Sequence, residues 1–141
     1  MPAKKGIELF AWCIITHHVH LMFRSIQGTK PEILLGDFKR FTSRNVGKAI
    51  QENQRESRKE WLLEQFQKAA QKTSNTSKYQ FWRHDNKPIE LWTHKVVFDK
   101  SHYIHNNPVE EGIVFRLEEY LYSSAHDYTG KKALFEKCQY I

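Results

Sequence analysis

The chain has 141 residues, with 22 Lys+Arg against 16 Asp+Glu, a formal charge of +6 and a pI near 9.3. That length suits one core and is too short for two, so a single domain over residues 1–141 is expected, and the charge favours a polyanion over an acidic substrate or a neutral metabolite. No run is long and apolar enough to span a bilayer and no charged-apolar-cleavage signal opens the chain; Cys13 and Cys138 form neither a disulfide framework nor a Cys-x-x-Cys pair, so a reducing cytoplasm fits.

Phe10-Ala11-Trp12-Cys13-Ile14-Ile15 reads as a strand, Thr16-His17 as a reversal, and the run from His18 onward as a second strand beside the first. Alternation puts His18, His20, Met22 and Arg24 on one side and Val19, Leu21 and Phe23 on the other, so one side is expected to enter a core while the other presents two imidazoles. Thr29-Lys30-Pro31 marks a helix start, with Leu34, Phe38 and Phe41 recurring at helical spacing. Lys39, Arg40, Arg44 and Lys48 decorate the rest of that helix, where they suit a solvated face and phosphate contact equally well. Gln51 to Arg58 is a polar joint. Ser57-Arg58-Lys59-Glu60 is a capping-box pattern ahead of Trp61, Leu62, Phe66, Ala69 and Ala70, which predicts a second helix.

Thr73 to Lys78 reads as an exposed loop, followed by short strands at Tyr79 to Arg83 and Ile89 to Trp92 around Asp85-Asn86-Lys87-Pro88. The next helix begins near Thr93 or Asp99 and carries Tyr103; Asn106-Asn107-Pro108 and Gly112 mark breaks in it, because proline disfavours helical geometry at the residue before it. A short helix over Glu118 to Tyr128, a basic tail at Gly130-Lys131-Lys132 and a terminal strand at Ala133 to Ile141 complete the prediction. The sum is an α+β arrangement, an antiparallel sheet with helices packed on it.

Residues four apart share a helix face, which sets Asn107 beside Tyr103. His17 has the opposite strand parity to His18 and His20 and points elsewhere. His102 and His105 flank the tyrosine but read as surface groups, since His105 is off the Tyr103 face. Ser123-Ser124 lacks a Gly-x-Ser-x-Gly elbow and suits capping or phosphate contact better than nucleophilic attack. Among the aromatics, Phe81, Trp82, Trp92, Tyr120 and Tyr122 include candidates for stacking on bases, with one or two expected to do so.

Taken in order, His18-Val19-His20-Leu21, the Phe81-Trp82 segment with His84-Asp85, Tyr103-Ile104-His105-Asn106-Asn107-Pro108-Val109, Gly112-Ile113-Val114 and Tyr120-Leu121-Tyr122-Ser123-Ser124 resemble the HUH endonucleases with a single catalytic tyrosine. Within that group they are similar to transposases like those of insertion sequence 200 and to the REP-associated tyrosine transposases. The likeness covers most of the chain from about Glu8 to Gly130. It implies a ferredoxin-like fold, here lacking the first strand and helix, since only about ten residues precede the hairpin. It also implies that His18 and His20 bind a divalent cation, that Tyr103 is the nucleophile and that Asn107 supplies a third polar ligand. Two imidazoles and an amide oxygen leave positions open for phosphate oxygens, which favours Mg²⁺ or Mn²⁺ during turnover over a structural zinc.

The implied reaction is cleavage and rejoining of single-stranded DNA through a 5′-phosphotyrosine, with recognition of hairpin DNA and no ATP. Lys39, Arg40, Arg44, Lys48 and Arg83 are the expected nucleic-acid contacts. The edge left by the missing strand is expected to be covered by a second copy of the chain, in a homodimer. The alternative is a truncated, catalytically weak DNA-binding remnant of such a transposase.

Overall fold

The computed structural model describes residues 6–73 and 78–131. The chain divides into two compact units: residues up to Pro31 together with those from Ile89 onward, and Glu32–Pro88 between them.

The first unit is an α+β assembly built on an antiparallel hairpin, β1 (Ile7–Ile15) and β2 (His18–Ser25), joined at Thr16-His17 as the alternation predicts. β-Branched and aromatic residues dominate β1 and suit a pleated, largely buried surface. The pairing runs Ile15 to His18, Cys13 to His20 and Ala11 to Met22, with a bulge between Leu9 and Ala11 that leaves Phe10 as the extra residue. Directly opposed residues share a sheet face. His18 and His20 therefore lie on the same face as Ala11, Cys13, Ile15 and Met22, which form the core together with Ile104. This reverses the expected assignment: the imidazoles share the face that α3 covers, although His18 and His20 are half-buried, as are Val19, Leu21 and Phe23 on the other face.

α3 (His94–Glu110) starts where Thr93 caps it, its hydroxyl accepting from Val96 N–H at 3.2 Å. Ser101, Ile104, His105 and Pro108 recur at helical spacing and are buried. The expected break at Asn107-Pro108 does not occur. Pro108 falls in the last turn, where the missing N–H costs one bond, and the helix continues to Glu110. It ends at Gly112 (φ +71°), whose left-handed backbone favours glycine, with Ile113 N–H closing on the Pro108 carbonyl at 2.9 Å.

Beyond α3 the expected short helix is split into a 3₁₀ turn at Leu117–Glu119 and a single turn, α4 (Ala125–Tyr128). Between them Tyr122 to Ser124 runs antiparallel to the outer edge of β1: Ile14 N–H donates to the Tyr122 carbonyl at 2.8 Å, and Ser124 N–H to the Trp12 carbonyl at 2.9 Å. This pairing satisfies edge groups of β1 that would otherwise be open. Among the described residues the hairpin is the whole sheet.

The second unit holds α1 (Pro31–Glu52), apart from its first residue, and α2 (Lys59–Gln71). α1 opens with Pro31 as expected and buries Leu34, but Phe41, on the same predicted stripe, is 49% exposed. α2 begins one residue late for the capping box. Arg58 is its N-cap, with no side-chain cap bond, and the Glu56 carboxylate takes the Arg58 N–H at 3.0 Å.

Tyr79 to Arg83 and Ile89 to Trp92 are irregular rather than stranded. The aromatic residues that suggested a strand pack on helices instead: Phe81 on Phe66, Trp82 on Phe38, with Trp82 Nε1 donating to Thr42 at 2.8 Å. Gln80 N–H is taken by the Phe66 carbonyl, so no ladder forms. Ile89 and Trp92 are exposed. Among the described residues no helix is long and apolar enough to cross a membrane. Residues 74–77 of the expected loop, Lys132 of the basic tail, the terminal strand and Cys138 lie outside the described residues.

Candidate active site

His18 and His20 are one pleat apart on β2, so their rings project together. Their Nε2 atoms are 3.0 Å apart and the rings meet edge to face, with centroids 4.7 Å apart. Burial, and secondarily the charge of His18, lowers the pKa of His20 below the ordinary imidazole value, which favours the neutral ring that can donate a lone pair to a metal.

α3, lying across the same sheet face, brings the ring of Tyr103 against His20, with centroids 5.7 Å apart and planes at 78°. The two segments singled out in the sequence thus meet within one unit of one chain. Tyr103 is 53% exposed, which leaves it accessible to a large substrate. One turn along, Asn107 is buried, and its Oδ1 has no hydrogen-bond partner. A buried acceptor without a partner is costly unless a ligand, a water or an ion completes it.

The two imidazole nitrogens on β2 are of the donor type that divalent cations accept. Neighbouring ligands of an octahedral ion at about 2.1 Å lie about 3 Å apart, which is the separation of the two Nε2 atoms. Among the described residues no group of three or more His, Cys, Asp or Glu side chains converges to hold a metal. His17, in the turn before β2, packs edge to face on His18 and turns its Nδ1 toward Thr16 Oγ1.

His105 departs from expectation. It is buried rather than at the surface, its Nε2 lies 2.7 Å from Ser124 Oγ, and its ring packs on Tyr128. Burial, with a smaller contribution from His102, pushes its pKa down to about 4, so the ring is neutral at physiological pH. Ser124 Oγ also accepts Trp12 N–H at 2.9 Å, and Tyr120 and Tyr128 hydroxyls donate to the carbonyls of Ile14 and Phe10. Ser123 Oγ accepts Ala125 N–H, a capping role. Both serines are fully buried, which removes them as phosphate contacts. This polar seam joins α3, β1 and the Tyr122–Ser124 segment, and no local pattern in the sequence announces it.

The expected nucleic-acid residues are unequal. Lys39 is turned inward, donating to the Arg83 carbonyl at 2.7 Å and to Asn86 Oδ1, and burial lowers its pKa. Arg40 pairs with Asp37, Lys48 with Glu52 and Arg83 with Asp85. Arg44 is exposed and has no carboxylate partner among the described residues. Arg44 and Lys48 line a groove of about 410 Å³ in the second unit, together with Lys78, Phe66, Tyr79 and Phe81. Of the stacking candidates, Trp92 (83% exposed) and Tyr122 (51%) are open to solvent, whereas Phe81, Trp82 and Tyr120 are engaged in packing. No family model matches the chain, and neither a curated protein nor a solved structure does.

Proposed function

We propose that this chain is a DNA transposase of the single-tyrosine HUH type, cleaving and rejoining single-stranded DNA with the hairpin and α3 as the catalytic part of a ferredoxin-like fold. The observation that carries this reading is the meeting of Tyr103 with the His18/His20 pair, at 5.7 Å between ring centroids on His20. A phenol beside two imidazoles is a set that metal-assisted phosphotyrosine chemistry can use.

His18 and His20 would hold Mg²⁺ or Mn²⁺, with Asn107 Oδ1 as a further donor. When bound, such a cation supplies Lewis-acid polarisation of the scissile phosphate and neutralises charge on its oxygens. Tyr103 gives up its phenolic proton to solvent and attacks phosphorus; the Oη–P bond forms as the P–O3′ bond breaks, and the departing 3′ oxygen takes up a proton from water. The phosphodiester bond energy is retained in the phosphotyrosine, so the free 3′ hydroxyl of another end reverses the attack without ATP. The buried seam through His105 and Ser124 anchors α3 on β1 and holds Tyr103 against His20. The net charge of +6 and the Arg44–Lys48 groove suit a single-stranded or hairpin DNA partner.

The test is incubation with end-labelled single-stranded hairpin DNA and Mn²⁺. The wild-type chain is expected to form a covalent adduct that survives denaturation, and Tyr103→Phe none. An adduct persisting in Tyr103→Phe would defeat the assignment of the nucleophile. DNA binding without any adduct would leave a binding remnant instead of an enzyme.

A further inference from the structure

Lys100 precedes Tyr103 by three residues on α3, so the two side chains share a helix face. Its ammonium lies over the phenol ring, 5.5 Å from the centroid. Among the described residues Lys100 has no carboxylate partner. The other lysine of that helix, Lys95, is neutralised by Asp99 Oδ2 at 2.6 Å. Lys100 is half-buried and Tyr103 half-exposed, so the helix holds an uncompensated positive charge at the rim of an accessible phenol.

A phosphodiester attacked in line must come within about 3.5 Å of the phenol oxygen, and that brings its anionic oxygens into the reach of an ammonium already resting on the ring. We infer that Lys100 is a substrate-contacting residue, binding a non-bridging oxygen of the phosphate that Tyr103 attacks. This rests on Tyr103 being the nucleophile. Charge on those oxygens is what a fixed cation offsets during phosphoryl transfer, and lysine serves as a point charge without needing a bidentate fit. The site would then meet the phosphate from two directions, with donors for a metal on β2 and an ammonium on α3.

The experiment compares wild type, Lys100→Gln, Lys100→Arg and Lys95→Gln in two assays with the labelled hairpin DNA. The first is equilibrium binding in EDTA across a salt series; the second is single-turnover adduct formation with Mn²⁺ at saturating DNA. Lys100→Gln is expected to lower the magnitude of the log K against log salt slope by about 0.7, the loss of one single-strand phosphate contact. It is also expected to slow adduct formation about tenfold or more. Lys100→Arg retains the slope and recovers most of the rate, and Lys95→Gln matches wild type in both assays. If Lys100→Gln behaves as Lys95→Gln does, the inference is overturned. A wild type that forms no adduct defeats the nucleophile reading instead, and the salt slope still decides whether Lys100 touches phosphate.

Discussion

Replacing Ser124 by alanine tests the seam that fixes α3 on the sheet. The Ser124 oxygen accepts Trp12 N–H at 2.9 Å and lies 2.7 Å from His105 Nε2, and the residue is fully buried. Alanine keeps the Cβ and adds no bulk, so the cost is polar: a backbone N–H of β1 and an imidazole nitrogen both lose their partner. A buried group left unsatisfied costs about 1–3 kcal/mol, which for two groups gives about 2–6 kcal/mol, with about 3 kcal/mol expected after local relaxation. Urea unfolding followed by far-ultraviolet circular dichroism should register this as a lower midpoint at unchanged slope. His105→Leu and the double variant complete a cycle in which the two positions are coupled by about 1 kcal/mol or more. A loss below about 0.5 kcal/mol in Ser124→Ala, or strict additivity with His105→Leu, would refute the claim that this hydroxyl holds the two elements together.

His105 should also make the fold acid-sensitive. Its folded pKa of about 4 lies below the ordinary 6.5, so the unfolded chain binds the extra proton first; stability is full above about pH 6.5, falls as pH drops toward 4 and levels off below. Between about pH 7 and about pH 5 this amounts to roughly 2 kcal/mol, reinforced in the same direction by His20, and His105→Gln should flatten the slope accordingly. Ring resonances of His105 shifting near its ordinary value in a nuclear magnetic resonance titration would contradict this. Cys13, buried and pushed up to about 11 from 9.0, carries about a hundredfold less thiolate than an ordinary cysteine, so iodoacetamide should label its peptide slowly in native protein and rapidly in urea; equal rates would be inconsistent with the packing described. Thr93→Ala should cost about 1 kcal/mol in urea stability by removing the cap of α3, with Thr93→Ser close to wild type; equal losses in both would show that the hydroxyl is not the cap.

The hairpin was readable because alternation and a two-residue polar reversal are local signals, and α3 because a capping threonine stands before an amphipathic stretch. Alternation defines two faces without saying which one another element will cover, and so it does not reveal that α3 covers the face of the histidines. Tyr79 to Arg83 has strand-like composition, yet Phe81 and Trp82 bury against helices, a tertiary choice that overrides β-propensity. The pairing of Tyr103 with His20 followed from two motifs far apart in the chain. The links of Ser124 to Trp12 and His105 had no such motif, and a charge pattern alone could not reveal that Lys39 turns inward.

The bulge at Phe10 puts the two ends of β1 out of phase. Residues before it keep their own inward and outward order, so the segment at Ile7–Leu9 can change its pattern without dragging the histidine pairs into a new frame. Deleting Phe10 would remove that buffer, and whichever end of the ladder yielded would have to turn its side chains over.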